Sequence, residues 1–315
     1  MAAHPHLYGP VPSRRLGYSL GVDLLPFKTC SMDCVYCQLG GNARTTLRRK
    51  SFVPVETVLA EIEDVLKSGR KIDAVTFSGS GEPTLHPGLG RLIRGIKRLA
   101  SVPVIVLTNS SFLDRPAVRR ALAAADIVVP SLDAATEAAF RKVNRPHPSL
   151  SAARIVSGLA AFRKEHRGQI WLEVLLVKGV NDRPVDLRAL KKAVARIKPD
   201  RVQLNTVVRP PAESSARPLS PRELAKIRAF LGGQTEIIAA FGEKSREDES
   251  AGLSGRIMDF IRRRPETASA IARSLGAELE AVRRACRALE KAGKLRPVAH
   301  RGRIFFEPGS LSISS

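Results

Sequence analysis

Little in this 315-residue chain suits it to a membrane, to the outside of the cell or to an unfolded existence. Its cysteines number only four, too few for a disulfide scaffold at this length. Long apolar runs are missing too. The longest, such as 102–107 and 174–177, are strand-sized, against the roughly 18 residues of a membrane-spanning helix. Pro5, Gly9, Pro10, Pro12, Gly17 and Gly21 break the first 25 residues and leave no apolar stretch for a secretory signal. Acidic residues are scarce, 30 against 52 Lys and Arg, for a net charge of +22. With 43% hydrophobic residues there is ample material for a core, which excludes disorder as the main state. The expectation is a cytoplasmic protein, away from any membrane, whose thiols stay reduced.

What the chain does have is alternation. Short apolar runs at 19–25, 74–77, 102–107, 127–129, 170–177 and 201–204 are separated by stretches of helical period at 55–67, 89–99, 117–125, 135–143, 152–166 and 187–197. In the first such stretch Val55, Val58, Leu59, Ile62, Val65 and Leu66 share one face, leaving Glu61, Glu63, Asp64 and Lys67 outward. Single helices between strands make βαβ units and a parallel sheet. Six strands in about 205 residues predict an α/β fold, a partial (βα)6 TIM-like barrel. The strand ends are polar: Ser78, Gly79, Ser80, Gly81 and Glu82; then Thr108, Asn109 and Ser110; then Ser131 and Asp133; then Asn205 and Thr206. In a barrel that edge is where chemistry sits.

Composition changes after Phe241. The stretch 242–252 is charged and reads as a linker. Helical patterns at 254–261, 267–275 and 278–292, with a turn at Gly276, match a helix-turn-helix. The segment 294–306 reads as a two-stranded wing, with His300, Arg301 and Gly302 at its turn and Ile304, Phe305 and Phe306 returning to the core. The expected division is a barrel domain over 1–241, the linker, and a small winged-helix domain over 253–315.

Three of the four cysteines fall within eight residues, as Cys30-x₃-Cys34-x₂-Cys37, with Tyr36 just before the third. Structural zinc takes four closed ligands, so zinc here would need a fourth His or Asp. A [4Fe–4S] cluster held by three cysteines would keep one iron open to a substrate or cofactor. Cys286 lies in the last helical pattern and reads as a small buried apolar residue rather than a fourth ligand. The six histidines are scattered and lack the i, i+4 spacing of a zinc helix; His86 and His147 each neighbour a proline, as loop residues do.

The cysteine loop after the first strand, the run Ser78-Gly79-Ser80-Gly81-Glu82-Pro83, Thr108-Asn109 and Ser131-Leu132-Asp133 together resemble the radical S-adenosylmethionine (SAM) superfamily. The stretch from Tyr8 to Gly17, and Asp33-Cys34-Val35-Tyr36-Cys37, are most similar to a subgroup grouped with wyosine-synthesis enzymes. The resemblance implies a [4Fe–4S] cluster on Cys30, Cys34 and Cys37 whose open iron chelates the methionine end of SAM. One electron then splits the S–C5′ bond, giving methionine and a 5′-deoxyadenosyl radical that takes a hydrogen atom from substrate. It further implies that Gly79 and Gly81 let backbone approach the methionine, that Glu82 accepts a hydrogen bond from its amino group, and that Ser78 and Thr108 belong to the same pocket. Asn109, Ser131 and Asp133 would bind ribose or carboxylate, Tyr36 would cover the adenine or the cluster, and Asn205 would contact adenosine. An electron donor such as flavodoxin or ferredoxin is implied as a partner.

Other residues leave the substrate open. Arg14 and Arg15 could bind a phosphate or stand solvated, and Glu173, between Leu172 and Val174, reads as a paired carboxylate inside the barrel. Residues 252–315 carry thirteen Lys and Arg against six Asp and Glu. Arg283, Arg284 and Arg287 fall on the recognition helix and Arg301 and Arg303 on the wing, where a winged helix meets a phosphate backbone. A nucleic acid, tRNA or DNA, is therefore an expected partner of the C-terminal unit. Two alternatives stand beside a substrate-radical enzyme: a glycyl-radical-enzyme activase, and a redox-sensing DNA-binding regulator.

Overall fold

The computed structural model describes residues 4–13, 16–41, 45–239, 253–262 and 264–309. Arg14, Arg15 and the expected linker 242–252 lie outside the described residues.

Two strands, β1 (Leu7–Ser13) and β2 (Gly17–Val22), form an antiparallel hairpin. Pro10 and Pro12 have no amide hydrogen to donate, which confines β1 to an edge. From β2 onward the chain winds as strand and helix: α1 (Val55–Lys67), β3 (Ala74–Phe77), α2 (Leu89–Leu99), β4 (Val104–Thr108), α3 (Pro116–Leu122), β5 (Ile127–Pro130), α4 (Glu137–Asn144), α5 (Ala152–Glu165), β6 (Gln169–Leu176), α6 (Pro184–Ile197), β7 (Arg201–Thr206), α7 (Pro221–Leu231) and β8 (Thr235–Ile237). The strands lie in sequence order, β2 to β8 all parallel, with β1 and β8 as the two edges of an open, partial barrel.

The six expected strands are β2 to β7. Three elements of the barrel were not foreseen. β1 is written in turn residues, β8 has three residues and no buried one, and α7 begins behind a proline. A capping box starts α7: Ser220 accepts from the Glu223 amide, and the Glu223 carboxylate accepts from the Ser220 amide, with Pro221 in the first turn. In α1 the buried residues are Val55, Val58, Ile62 and Val65, as the spacing predicts, but Glu61 is buried as well. Its carboxylate accepts the backbone N–H of His6 at 3.1 Å and meets His6 Nδ1 at 2.6 Å, so the N-terminal segment covers a charge expected to face water.

Alternation along the strands separates two faces. Leu20, Val22, Val75, Phe77, Val104, Val106, Leu172 and Val174 pack beneath the helices. The inner face holds a small apolar layer of Ala74, Ile105, Val129 and Trp171, and polar groups such as Ser19 and Thr76, whose hydroxyls lie 2.6 Å apart.

The C-terminal unit runs α8 (Leu253–Ile261), β9 (Glu266–Thr267), α9 (Ala268–Leu275), α10 (Leu279–Lys291), β10 (Leu295–His300) and β11 (Arg303–Pro308), with an antiparallel sheet in the order β10-β11-β9. Gly276 ends α9 in the left-handed conformation. Arg301 and Gly302 form the turn between β10 and β11; His300 belongs to the strand. Phe305 is buried, but Ile304 is 59% exposed, because neighbouring strand residues point to opposite faces.

The two parts pack directly. Val11 and Tyr8 of β1 belong to the same apolar cluster as Ile257, Ile271, Val282, Cys286 and Leu289. They stand opposite Ser19 and Gly21 of β2, so this is the inner face of the sheet. Arg209, in the segment after β7, meets the buried Glu266 carboxylate at 2.5 Å, and Arg264 approaches it at 3.6 Å. Burial pushes Glu266 upward, but the two guanidiniums outweigh it and hold the acid below its ordinary range. The unit touches one edge of the open sheet and a segment near the other, standing across the gap that keeps the barrel from closing.

Candidate active site

The cysteine loop follows β2 and is fastened on two sides by backbone. On one side Thr29 pairs with Gly81, and the Glu82 amide donates to the Thr29 carbonyl at 3.1 Å. On the other, the Asp33 amide donates to the Asn144 carbonyl at 3.1 Å, and the Val35 amide to that of Val143 at 3.0 Å. Met32 bridges to Pro146. The loop therefore lies between the β3 end and the C-terminal end of α4. Within it the Cys37 amide donates to Cys34 at 2.9 Å, and Lys28 bonds the Gly40 carbonyl and stands 2.9 Å from Asp33.

The β3 end is held from both sides. Asp23, just past β2, accepts the Ser80 amide at 3.0 Å and its hydroxyl at 2.6 Å, and packs where a Cβ on Gly79 would stand. Ser78 is bonded to the Tyr8 phenol at 2.5 Å. Glu82 is buried and accepts from Thr84 and Thr108 through Oε1, the Thr108 hydroxyl at 2.6 Å, and from the Asn109 amide at 2.6 Å through Oε2. Burial still raises its pKa. The carboxylate thus ties the β3 end to the β4 end, and Oε2, with one donor, retains a lone pair.

Asp133 makes a second hub. Its Oδ1 accepts the Leu175 amide at 2.9 Å; its Oδ2 accepts the Tyr36 hydroxyl and the Asn144 amide, the latter at 2.7 Å. Burial pushes Asp133 up to about 6 against these donors. Tyr36 is raised by burial and by Asp133. The Tyr36 hydroxyl thus lies between Asp133 and Cys34, against one of the expected cluster ligands. Ser131 pairs with Glu173, and the Asn205 amide donates to Glu173 at 3.0 Å. Ser78, Asn109, Ser131, Glu173 and Asn205 stay partly accessible on otherwise buried strands or just past their C-terminal ends, with Asn109 beside Cys30.

Each cysteine is raised by burial first. Cys30 is pushed up to about 12, with Glu82 and Cys37 adding to burial. Cys34 goes well above its usual value, with Asp133, Cys30 and Cys37 adding. Cys37 is drawn back by the Leu39 amide and Lys28. To hold three such buried sulfurs together as thiolates takes a cation, which the iron of a cluster would supply. Among the described residues no three His, Cys, Asp or Glu side chains are arranged to close on one metal ion. Cys30, Cys34 and Cys37 on one loop would hold a [4Fe–4S] cluster with one iron left for a further ligand. The donor set fits a cluster. Cys286 is buried in the C-terminal core. His86, also buried, meets the Val53 carbonyl at 3.0 Å and accepts the Gly88 amide at 3.1 Å, as a structural loop residue.

Residues 24–190 match the radical SAM superfamily model. The chain belongs to the radical SAM superfamily. Its members are enzymes that carry a [4Fe–4S] cluster and bind SAM. A UPF0026 protein of Helicobacter pylori strain J99 is 40% identical over 232 residues, 73% of this chain and 74% of that one. A protein of Brachyspira hyodysenteriae named GTPase Obg is 36% identical over 92% of this chain, which spans only 43% of that longer protein. The phosphate-binding run G-x₄-G-K-[ST] does not occur in this sequence, so the matched part is not that of a P-loop GTPase. A radical SAM methyltransferase from Sphaerobacter thermophilus shares the fold, with a TM-score of 0.52 and 20% identity over 71% of this chain and 67% of that one. Among the described residues no helix is long and apolar enough to cross a membrane.

Asn144 carries no signal in the sequence. It sits at the end of α4, outside any strand end, and only the fold brings it to Cys34.

Proposed function

We propose that this radical SAM enzyme cleaves SAM reductively and takes a hydrogen atom from a nucleic acid. When bound, the cluster and SAM would supply the one-electron cleavage chemistry that makes a hydrogen-abstracting radical. The observation that carries the reading is that three loops, after β3, β4 and β5, converge on the cysteine loop and are bonded to it or to one another. Cys30, Cys34 and Cys37 would hold the cluster. Glu82, through the free lone pair on Oε2, would accept from an ammonium group; Gly79 and Gly81, expected to admit the methionine, instead make room for Asp23 and for the Thr29 carbonyl of the cysteine loop. Ser131 and Asn205, placed around Glu173, offer hydroxyl and amide groups to a ribose. The C-terminal unit, standing across the barrel gap, keeps water from that side.

A nucleic acid is favoured over a small substrate by the C-terminal unit. We read its helices and three-stranded antiparallel sheet as a winged helix, with Arg283, Arg284, Arg287 and Lys291 exposed on α10 and Arg301 and Arg303 exposed at the β10–β11 hairpin. Glu280 and Glu278 pair with Arg283 and Arg284, so part of this charge is already offset. The activase and regulator readings have no comparable support.

Anaerobic reconstitution with dithionite and SAM, assayed for 5′-deoxyadenosine, tests the chemistry. Product is expected from the native chain and not from Cys34→Ala; equal yields would overturn it. Binding of tRNA across a salt series tests the substrate class. Affinity is expected to fall steeply with salt, with a shallower slope in Arg287→Ala; no binding at low salt would overturn it.

A further inference from the structure

We propose that Asn109 and Asn144 are positioning residues that set the reduction potential of the cluster, each by donating an amide hydrogen to a different ligand sulfur. The inference rests on the cluster reading given above. Asn109 Nδ2 lies 3.4 Å from Cys30 Sγ, and Asn144 Nδ2 lies 3.4 Å from Cys34 Sγ. The two residues come from opposite sides of the cysteine loop, one after β4 and one at the end of α4.

Which end of each amide faces sulfur is fixed by its other partners. Asn109 Oδ1 accepts the Ser111 backbone amide at 3.1 Å, so its nitrogen must face Cys30 and the Ser31 hydroxyl, 2.9 Å away. Asn144 meets the Asp133 carboxylate at 2.7 Å, an acceptor that takes only its nitrogen. One hydrogen goes to Asp133 and the other to Cys34. Asn144 is buried, and Asp133 is itself pinned by Leu175 and Tyr36, so the amide cannot turn away without leaving a buried group unpaired.

A donor at sulfur stabilises the more negative state. Adding one electron to the cluster increases the charge on its ligands, so each donor eases reduction. Removing the Asn144 donor also leaves the repulsion of Asp133 at Cys34 less offset, which makes reduction harder still. In this role each residue acts through a cysteine sulfur.

The test is the midpoint potential of the reconstituted full-length protein, followed by EPR during stepwise reduction with dithionite. Asn144→Leu and Asn109→Val are each expected to lower the reduced fraction about tenfold at fixed poise, or about 59 mV for a one-electron couple. The double variant should show the sum, because the donors serve different sulfurs. Val143→Ala, which disturbs packing beside Asn144 without touching a donor, should leave the midpoint in place. Unmoved midpoints in iron-replete variants, or an equal shift in Val143→Ala, would overturn the proposal. Where Leu or Val does not retain iron, Asn144→Ser and Asn109→Ser take their place. Failure of all four to retain iron would assign these residues to loop structure and overturn tuning. A native chain that forms no cubane sinks the cluster reading instead, an outcome distinct from all of these.

Discussion

A side chain on Gly81 would overlap the carbonyl oxygen of Thr29. That oxygen is backbone, and it also accepts the Glu82 amide, so it cannot give way without opening the joint between the cysteine loop and the β3 end. Gly81→Ala is therefore expected to cost about 3 kcal/mol, the upper range for overpacking. Iron content after reconstitution and a thermal melt of the apoprotein check it. Unchanged iron and stability would show that the loop docks in some other way.

Gly21 and Tyr8 face each other across the hairpin, and a Cβ on Gly21 would enter the Tyr8 ring. Alanine ordinarily suits a strand better than glycine, yet Gly21→Ala should destabilise here by displacing the ring from the inner face. Tyr8→Phe keeps the ring and loses the Ser78 hydrogen bond, a loss of about 1 kcal/mol. Melting curves should rank native above Tyr8→Phe and Tyr8→Phe above Gly21→Ala.

Glu266 carries a pH dependence. Its folded pKa is depressed by Arg209 and Arg264. The stability it lends is thus fully present above the ordinary carboxylate value of 4.5 and is lost as pH falls below it. Glu266→Gln, which leaves two guanidiniums facing a neutral amide, should weaken docking of the C-terminal unit by about 3 kcal/mol, as for a broken buried pair. Limited proteolysis within 240–252 should become faster in the variant at pH 7 and in the native chain at pH 4. Equal rates throughout would separate the ion triad from docking.

Stripping iron with a chelator should loosen the site locally. The amides of Asp33, Val35 and Cys37 donate within or beside the cysteine loop, and their hydrogen exchange is expected to quicken. Exchange in β4 and β6, buried beneath the helices, should stay slow. A uniform rise across the sheet would mean that the cluster holds the whole fold together.

Where chemistry is local in the chain, the sequence was readable. Cys30, Cys34 and Cys37 stand together as a spacing, and β2 to β7 announce themselves by apolar runs between helical periods. Contacts made through space were not. Glu61 reads as an outward residue of an amphipathic helix, because nothing in 55–67 reveals that His6 will cover it. Asn144 closes a helix, an ordinary place for asparagine, and gains its partners only when α4 ends beside the cysteine loop. Tyr36 stands beside Cys37 in the chain, but nothing local reveals that its phenol also meets Asp133, 97 residues away. β1 hid behind its prolines, the residues that also suit it to an edge.

That edge has a consequence for the chain's assembly. Val11 and Tyr8 belong to the barrel by sequence and to the C-terminal core by packing. A chain cut at 240 would not be a smaller enzyme but one with an apolar seam laid open along β1. Such seams tend to find company. Sedimentation of the truncated chain should therefore show more self-association than that of the intact chain, whose C-terminal unit covers the seam.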